Sequence, residues 1–255
     1  MKRVWTALGP AARLTVWKVL VISLACAVGQ WVLFRSLLLG WPVEVTSAGP
    51  FPVEAAPFYP LLEVVADQAH LNWFFGAGLL LVCAALILPG LDRGAKTGYT
   101  LRRLSVGERA LTLAWGGQNA LLLLFFWGSQ TAAALLLAWQ YLATLGAEIS
   151  GAQTLFLAFS RSPYLHALLP LWDWPLLLRN AAACAALGMS AAALPFHWRH
   201  GRRAGAFFFL AVVAACCFPC GMDSQMVSQF AGLALYASAL ALTVTNVWRG
   251  RWDED

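Results

Sequence analysis

Charge is scarce in this 255-residue chain: Asp, Glu, Lys and Arg together make up 11% of it, against 60% hydrophobic residues. A soluble globular domain needs roughly twice that charge to cover its surface, so composition excludes one here. Basic residues are missing altogether from 42–69, where Glu44, Glu54, Glu63 and Asp67 stand alone. Metal-ligand spacing is missing too. His70, His166, His197 and His200 are scattered, and the acids lie mostly in 42–69 or in the tail "DED", so neither a metal site nor a Ser/His/Asp or paired-carboxylate arrangement can be assembled. There is no internal repeat and no low-complexity segment. The six cysteines fall in or at the ends of apolar runs rather than in a disulfide-rich loop framework.

What is present is apolar sequence in lengths of about 20 residues, enough to cross a hydrocarbon core of about 30 Å. With a mean hydropathy of +0.68, the chain reads as a single all-α integral membrane domain over 1–255. The predicted spans are 16–39, 71–90, 110–145, 174–196, 205–222 and 226–247. The basic start resembles a signal peptide, but the apolar run after it is too long and lacks a small-residue exit, so it is read as a retained anchor. The net charge of +5 sits in short clusters between spans, which marks topology rather than nucleic-acid binding.

Charge also fixes the number of spans. Lys2, Arg3, Arg13 and Lys18 precede the first span and place the N-terminus in the cytoplasm. The acidic segment 42–69 is then outside, and Arg93, Lys96, Arg102, Arg103 and Arg109 are inside. Residues 110–145 would make a helix of about 54 Å. Splitting it in two would put "HWRHGRRAG" at 197–205, together with Arg249 and Arg251, on the outer side. Keeping it whole leaves every basic cluster cytoplasmic, giving six spans with both termini inside. Residues 147–173 are then outer, too apolar for a plain loop and too interrupted for a span. They are expected to form interfacial or re-entrant short helices before the fourth span, with Ser162 as N-cap, Pro163 at the first helical position, and Trp172 and Trp174 at headgroup level.

The segment "GLDRGAKTGYTLRRLSVGERA", residues 90–110, holds most of the mid-chain positive charge. Gly90–Thr97 is one substitution from a phosphate-binding GxxxxGK[ST] loop, with Ala95 in place of the second glycine. A P-loop needs a buried strand before it and a sheet around it. Here an apolar span precedes it, so a nucleotide site in this chain is rejected. The later part, "TGYTLRRLS", suits a short amphipathic helix, and Ser105 with Glu108 matches a capping box opening the third span.

Polar residues within spans are costly and therefore candidates for function. They are Gln30 and Arg35 in the first span, Gln118 and Asn119 in the third, Arg179 and Asn180 in the fourth and Asn246 in the sixth. Arg35, Arg179 and Asn246 lie near enough to span ends to snorkel toward headgroups. Gln118 and Asn119 are deeper, where they either line a translocation path or bond between helices. Cys217 and Cys220 have CxxC spacing near the outer end of the fifth span, which would suit a membrane thiol oxidoreductase, although small apolar packing explains them as well.

The run Tyr99, Thr100, Leu101, Arg102, Arg103, Leu104, Ser105, Val106 and Arg109 between the second and third spans resembles the cytoplasmic loop of type-2 ATP-binding-cassette permeases. In that family a short coupling helix in this loop docks on the ATPase subunit. The resemblance implies a non-catalytic permease subunit of an exporter in the plasma membrane, with Lys96, Tyr99, Thr100, Leu101, Arg102, Arg103 and Leu104 at the ATPase contact. It further implies a second permease, identical or different, surrounding lipid, and ATP and Mg bound by the partner rather than by this chain. The family often places re-entrant helices between its fifth and sixth spans, whereas here the bulk precedes the fourth. A thiol oxidoreductase and a non-transporting membrane scaffold are the alternative functions.

Overall fold

The computed structural model describes residues 2–39, 43–44, 57–58, 61–90, 107–144, 152–201, 205–219 and 226–249, with side chains over 15–39, 61–90, 107–144, 153–201, 205–219 and 226–248. Apart from a two-residue antiparallel pair, Val43–Glu44 with Pro57–Phe58, every described element is helical. In chain order they are α1 (Lys2–Leu39), α2 (Leu62–Gln68), α3 (Leu71–Ile87, extended by a 3₁₀ turn Leu88–Gly90), α4 (Glu108–Thr144), α5 (Ala152–Arg161), α6 (Pro163–Leu168), α7 (Trp174–Arg199), α8 (Ala206–Cys217) and α9 (Met226–Arg249).

Five segments are long and apolar enough to cross a membrane: Thr15–Leu39, Leu71–Gly90, Glu108–Thr144, Trp174–Arg199 and Met226–Trp248. Their outward faces carry large apolar side chains, among them Trp17, Leu24, Leu121, Leu136, Trp139 and Leu242. No water-soluble monomer exposes so much, and a lipid-facing bundle requires it. The chain is therefore a multi-pass membrane-embedded protein. Residues 108–144 form one unbroken helix, the option selected by the distribution of basic residues. At 12 residues α8 is about 18 Å long and ends well short of the expected span 205–222. Pro219 explains the stop: Phe218 still has helical backbone and donates to the Ala214 carbonyl, but Pro219 has no N–H with which to continue the ladder.

Cross-helix contacts fix direction. Gln130 Nε2 donates to the Ser23 carbonyl and Trp31 Nε1 to Gln140 Oε1, so α1 and α4 run parallel. Glu108 meets Arg199, so α4 and α7 run antiparallel. The rings of Trp174 and Phe230 lie 6.0 Å apart, and Ser190 and Thr243 meet further along, so α9 runs parallel to α7. Between them α8 returns along α7, from the Trp198–Phe208 ring contact to the Arg179–Phe218 hydrogen bond. Gly90 packs on Pro195 and Arg109 bonds the Trp248 carbonyl. The start of α1, the end of α3, the start of α4 and the ends of α7 and α9 therefore share one end of the bundle, here termed basal; the other end is distal.

The α4–α7 seam is the most extensive helix contact and depends on small residues. A Cβ on Gly188 would lie 2.4 Å from Ala120 N and 2.7 Å from its Cα, so the two backbones touch. This is the close approach that glycine and alanine permit between membrane helices.

Candidate functional site

The distal end is closed by α5 and α6. Ser162 sits in extended backbone immediately before Pro163, which opens α6 as the sequence suggests. Its hydroxyl does not cap the helix. Instead Ser162 Oγ donates to Asp67 Oδ1 at 3.2 Å, while Arg161 pairs with Glu63 at 3.6 Å, so α2 and the α5–α6 corner are fastened twice. Partial burial raises the Asp67 carboxyl above its ordinary range, and the bond from Ser162 works against that rise.

α6 is not lying on the surface. Tyr164, Leu165, Ala167 and Leu168 are all buried, and the helix meets side chains from three long helices. Gln30 Nε2 on α1 donates to Tyr164 Oη at 3.0 Å. Trp127 Nε1 and Thr131 Oγ1 on α4 donate to the Leu168 carbonyl at 3.0 and 3.2 Å. Asn180 Nδ2 on α7 donates to the Ala167 carbonyl at 2.9 Å. A helix end inside a membrane bundle has carbonyls that water cannot reach, and irregular backbone survives there only where protein satisfies it. Trp127, Thr131 and Asn180 do this for the last turn of α6. α6 is therefore packed into the bundle rather than exposed on it. Trp172 and Trp174 remain exposed at its exit.

Beside this cap lies a buried cation. Arg179 was expected to snorkel, yet only 5% of it is exposed. Its Nε and Nη2 donate to Asn180 Oδ1 at 3.2 and 3.0 Å, and Nη2 also donates to the Phe218 carbonyl at 3.2 Å. Gly232 on α9 makes the room, because a Cβ there would lie 3.1 Å from Arg179 Cδ. Arg35 does reach outward, with its guanidinium 5.3 Å from the Trp31 ring centre, and Asn246 is exposed.

Asn119 is fully buried where α4 crosses α7, and its Nδ2 is 3.5 Å from the Gly188 carbonyl. That places it in a helix–helix contact, while its neighbour Gln118 is half-buried. At the basal end, α4 opens at Glu108 with Gly107 in the N-cap position, since Leu111 N bonds the Gly107 carbonyl. Glu108 is therefore the first helical residue rather than the third, as a capping box would need. Its carboxylate is taken by Arg199 at 2.8 Å, with His200 Nε2 3.9 Å from its other oxygen. Ser105, and Lys96, Tyr99, Thr100, Leu101, Arg102, Arg103 and Leu104, lie outside the described residues, as does Cys220. Cys217 is exposed at the end of α8.

Among the described residues no group of three or more His, Cys, Asp or Glu side chains could hold a metal ion. The residues that close α6 into the bundle were only partly marked by sequence. Gln30 and Asn180 stand out as polar residues in spans, but Tyr164, Trp127 and Thr131 carry no such signal. The chain matches no protein-family model, no curated protein and no solved structure.

Proposed function

We propose that this chain is the membrane-spanning permease subunit of an ATP-binding-cassette exporter in the plasma membrane, crossing six times with both termini cytoplasmic. A separate ATPase subunit binds ATP and Mg, and a second permease, identical or different, completes the pore. The observation that carries the reading is the position of the described residues that flank the basic run. Its two anchors, Gly90 against Pro195 and Glu108 against Arg199, stand at the basal end beside the start of α1 and the end of α9. Tyr99, Leu101, Arg102, Arg103 and Leu104 follow α3 and precede α4 in the sequence, and the positive-inside rule assigns that connection to the cytoplasm. The sixth crossing is assigned to α8.

Mechanistically, closure of the ATPase pair would push this segment. Both anchors bear on the last turns of α7, so the push reaches α7 directly, and α7 in turn holds α6 through Asn180 and the Ala167 carbonyl. Displacing α7 along α4 would draw the α6 cap away from Trp127 and open the distal end. The test is co-purification with a candidate ATPase and ATP-driven transport, comparing the native chain with Tyr99→Ala plus Leu104→Ala. The pair of substitutions is expected to abolish association while leaving the membrane fold intact. Unchanged association together with unchanged transport overturns the reading.

A further inference from the structure

The connection from α6 to α7 turns sharply at the distal end. Trp172 has a φ of 66°, left-handed backbone in which a bulky side chain is strained and which glycine would adopt without cost. Packing does not repay that strain, since 93% of Trp172 is exposed. Trp174, two residues on, is 60% exposed and is held edge-to-face against Phe230 of α9, with ring centres 6.0 Å apart. Two large rings are thus displayed rather than buried on either side of Asp173.

Between this turn and the start of α9 lies a cavity of about 270 Å³, whose wall includes Trp172, Asp173, Trp174, Pro175, Met226 and Gln229. Pockets for drug-sized molecules begin at about 300 Å³, so this one suits a smaller guest. Among the described residues Asp173 is the one charged group on the wall, and a third of its side chain is exposed. Its Oδ1 accepts from Leu176 N at 3.2 Å, which seats the start of α7. Its Oδ2 lies 3.7 Å from His166 Nε2, too far for a hydrogen bond. An anion finds little here, because the helix-start donors that would attract it are spent or missing. Pro175 has no N–H, Leu176 N binds Asp173 Oδ1, and Leu177 N binds the Asp173 carbonyl.

We propose that this cavity binds a small alkylammonium group, of which the trimethylammonium of choline is the type. Asp173 supplies the opposite charge, and Trp172 and Trp174 supply the aromatic rings that attract such cations. The group can be presented by a zwitterionic lipid headgroup or by a free solute. The site needs no ATPase, so it stands or falls apart from the permease reading.

The experiment uses the full chain in nanodiscs of phosphatidylglycerol, a lipid without an ammonium group. Choline is titrated at about pH 8, so that a protonated histidine does not compete for Asp173, and binding is read by saturation-transfer NMR on its methyl protons. Two variants spare the fold. Trp172→Gly removes the ring where glycine suits the backbone, and Asp173→Asn removes the charge but keeps a side chain that caps helices well. Each is expected to weaken choline binding at least about threefold, while the unfolding midpoint of Trp172→Gly stays at or above the native one. The neutral isostere of choline, with a tert-butyl group in place of trimethylammonium, is expected not to bind. Repeating the titration in phosphatidylcholine discs identifies the source: weaker choline binding there assigns the site to a lipid headgroup, and equal binding assigns it to a free solute. Choline binding that is undetectable in the native chain, or unchanged in either variant, overturns the proposal and leaves the two tryptophans as interfacial anchors. Equal binding of the neutral isostere overturns the assignment of a cation. A lower midpoint for Trp172→Gly means that the ring serves the fold, and overturns its assignment to a ligand.

Discussion

Asn180 Nδ2 donates to the Ala167 carbonyl across 2.9 Å while the same amide accepts from Arg179, so one side chain ends α6 and seats a buried guanidinium. Replacing it with an apolar residue removes both at once. Asn180→Leu is expected to cost more than the about 1–3 kcal/mol of a single orphaned polar group, since a charged donor is involved as well. Asn180→Asp keeps an acceptor for Arg179 but has no N–H for Ala167, and is expected to fall between Leu and the native residue. Thermal unfolding of the three chains in one detergent checks the order. Equal midpoints would mean that α6 is held in place without this amide.

How far the sequence could reveal this arrangement depends on the distance over which each cause acts. Five of the six expected spans followed from apolar length because hydrocarbon thickness is a local constraint, and the unbroken α4 is the option selected by counting basic residues on each side. The Ser162–Pro163 junction followed from the fixed φ of proline. Burial of Arg179 did not follow. Position along a span gives depth, but Phe218 and Gly232, from helices later in the chain, decide whether the arginine is covered. The partner of Glu108 did not follow either, because Arg199 is on another helix. Tyr164 looks like an ordinary interfacial aromatic until Gln30 is brought to its hydroxyl.

The glycines of the α4–α7 seam are expected to differ from one another. A Cβ at Gly188 meets the backbone of Ala120 and Asn119, which can yield only by moving the whole helix. At Gly116 it meets chiefly Met189 Sδ, the end of a flexible side chain, with Met189 Cα at 3.1 Å behind it. At Gly128 it meets nothing within 4 Å. Gly188→Ala is therefore expected to destabilise by about 1–3 kcal/mol or more, Gly116→Ala by less, and Gly128→Ala not at all. Unfolding midpoints that do not follow this order would refute backbone contact at Gly188.

Gln30 and Tyr164 form a single hydrogen bond in a buried place, so removing one partner and removing both should differ. Tyr164→Phe strands the Gln30 amide nitrogen and is expected to cost about 1–3 kcal/mol, whereas Tyr164→Phe combined with Gln30→Leu removes both polar ends and should recover most of that loss. The coupling from the four-chain cycle is expected to be at least about 0.5 kcal/mol, as for residues in contact. Additive effects would mean that the two groups do not meet.

Glu108 and Arg199 tie the start of α4 to the end of α7 at 2.8 Å, but both side chains are more than a third exposed. Solvent screens such a pair to about 0–1 kcal/mol, so Glu108→Ala is expected to leave the unfolding midpoint nearly unchanged. Its effect belongs to transmission. If the basic segment moves α7 through this contact, Glu108→Ala lowers ATP-driven transport in a system reconstituted with the ATPase, without weakening ATPase association. The exchange Glu108→Arg with Arg199→Glu restores the contact with opposite charges. Recovery should be incomplete, because arginine then faces the positive end of α4 and glutamate the negative end of α7, each opposing the helix dipole. Transport unaffected by Glu108→Ala would remove this pair from the route between the basal and distal ends.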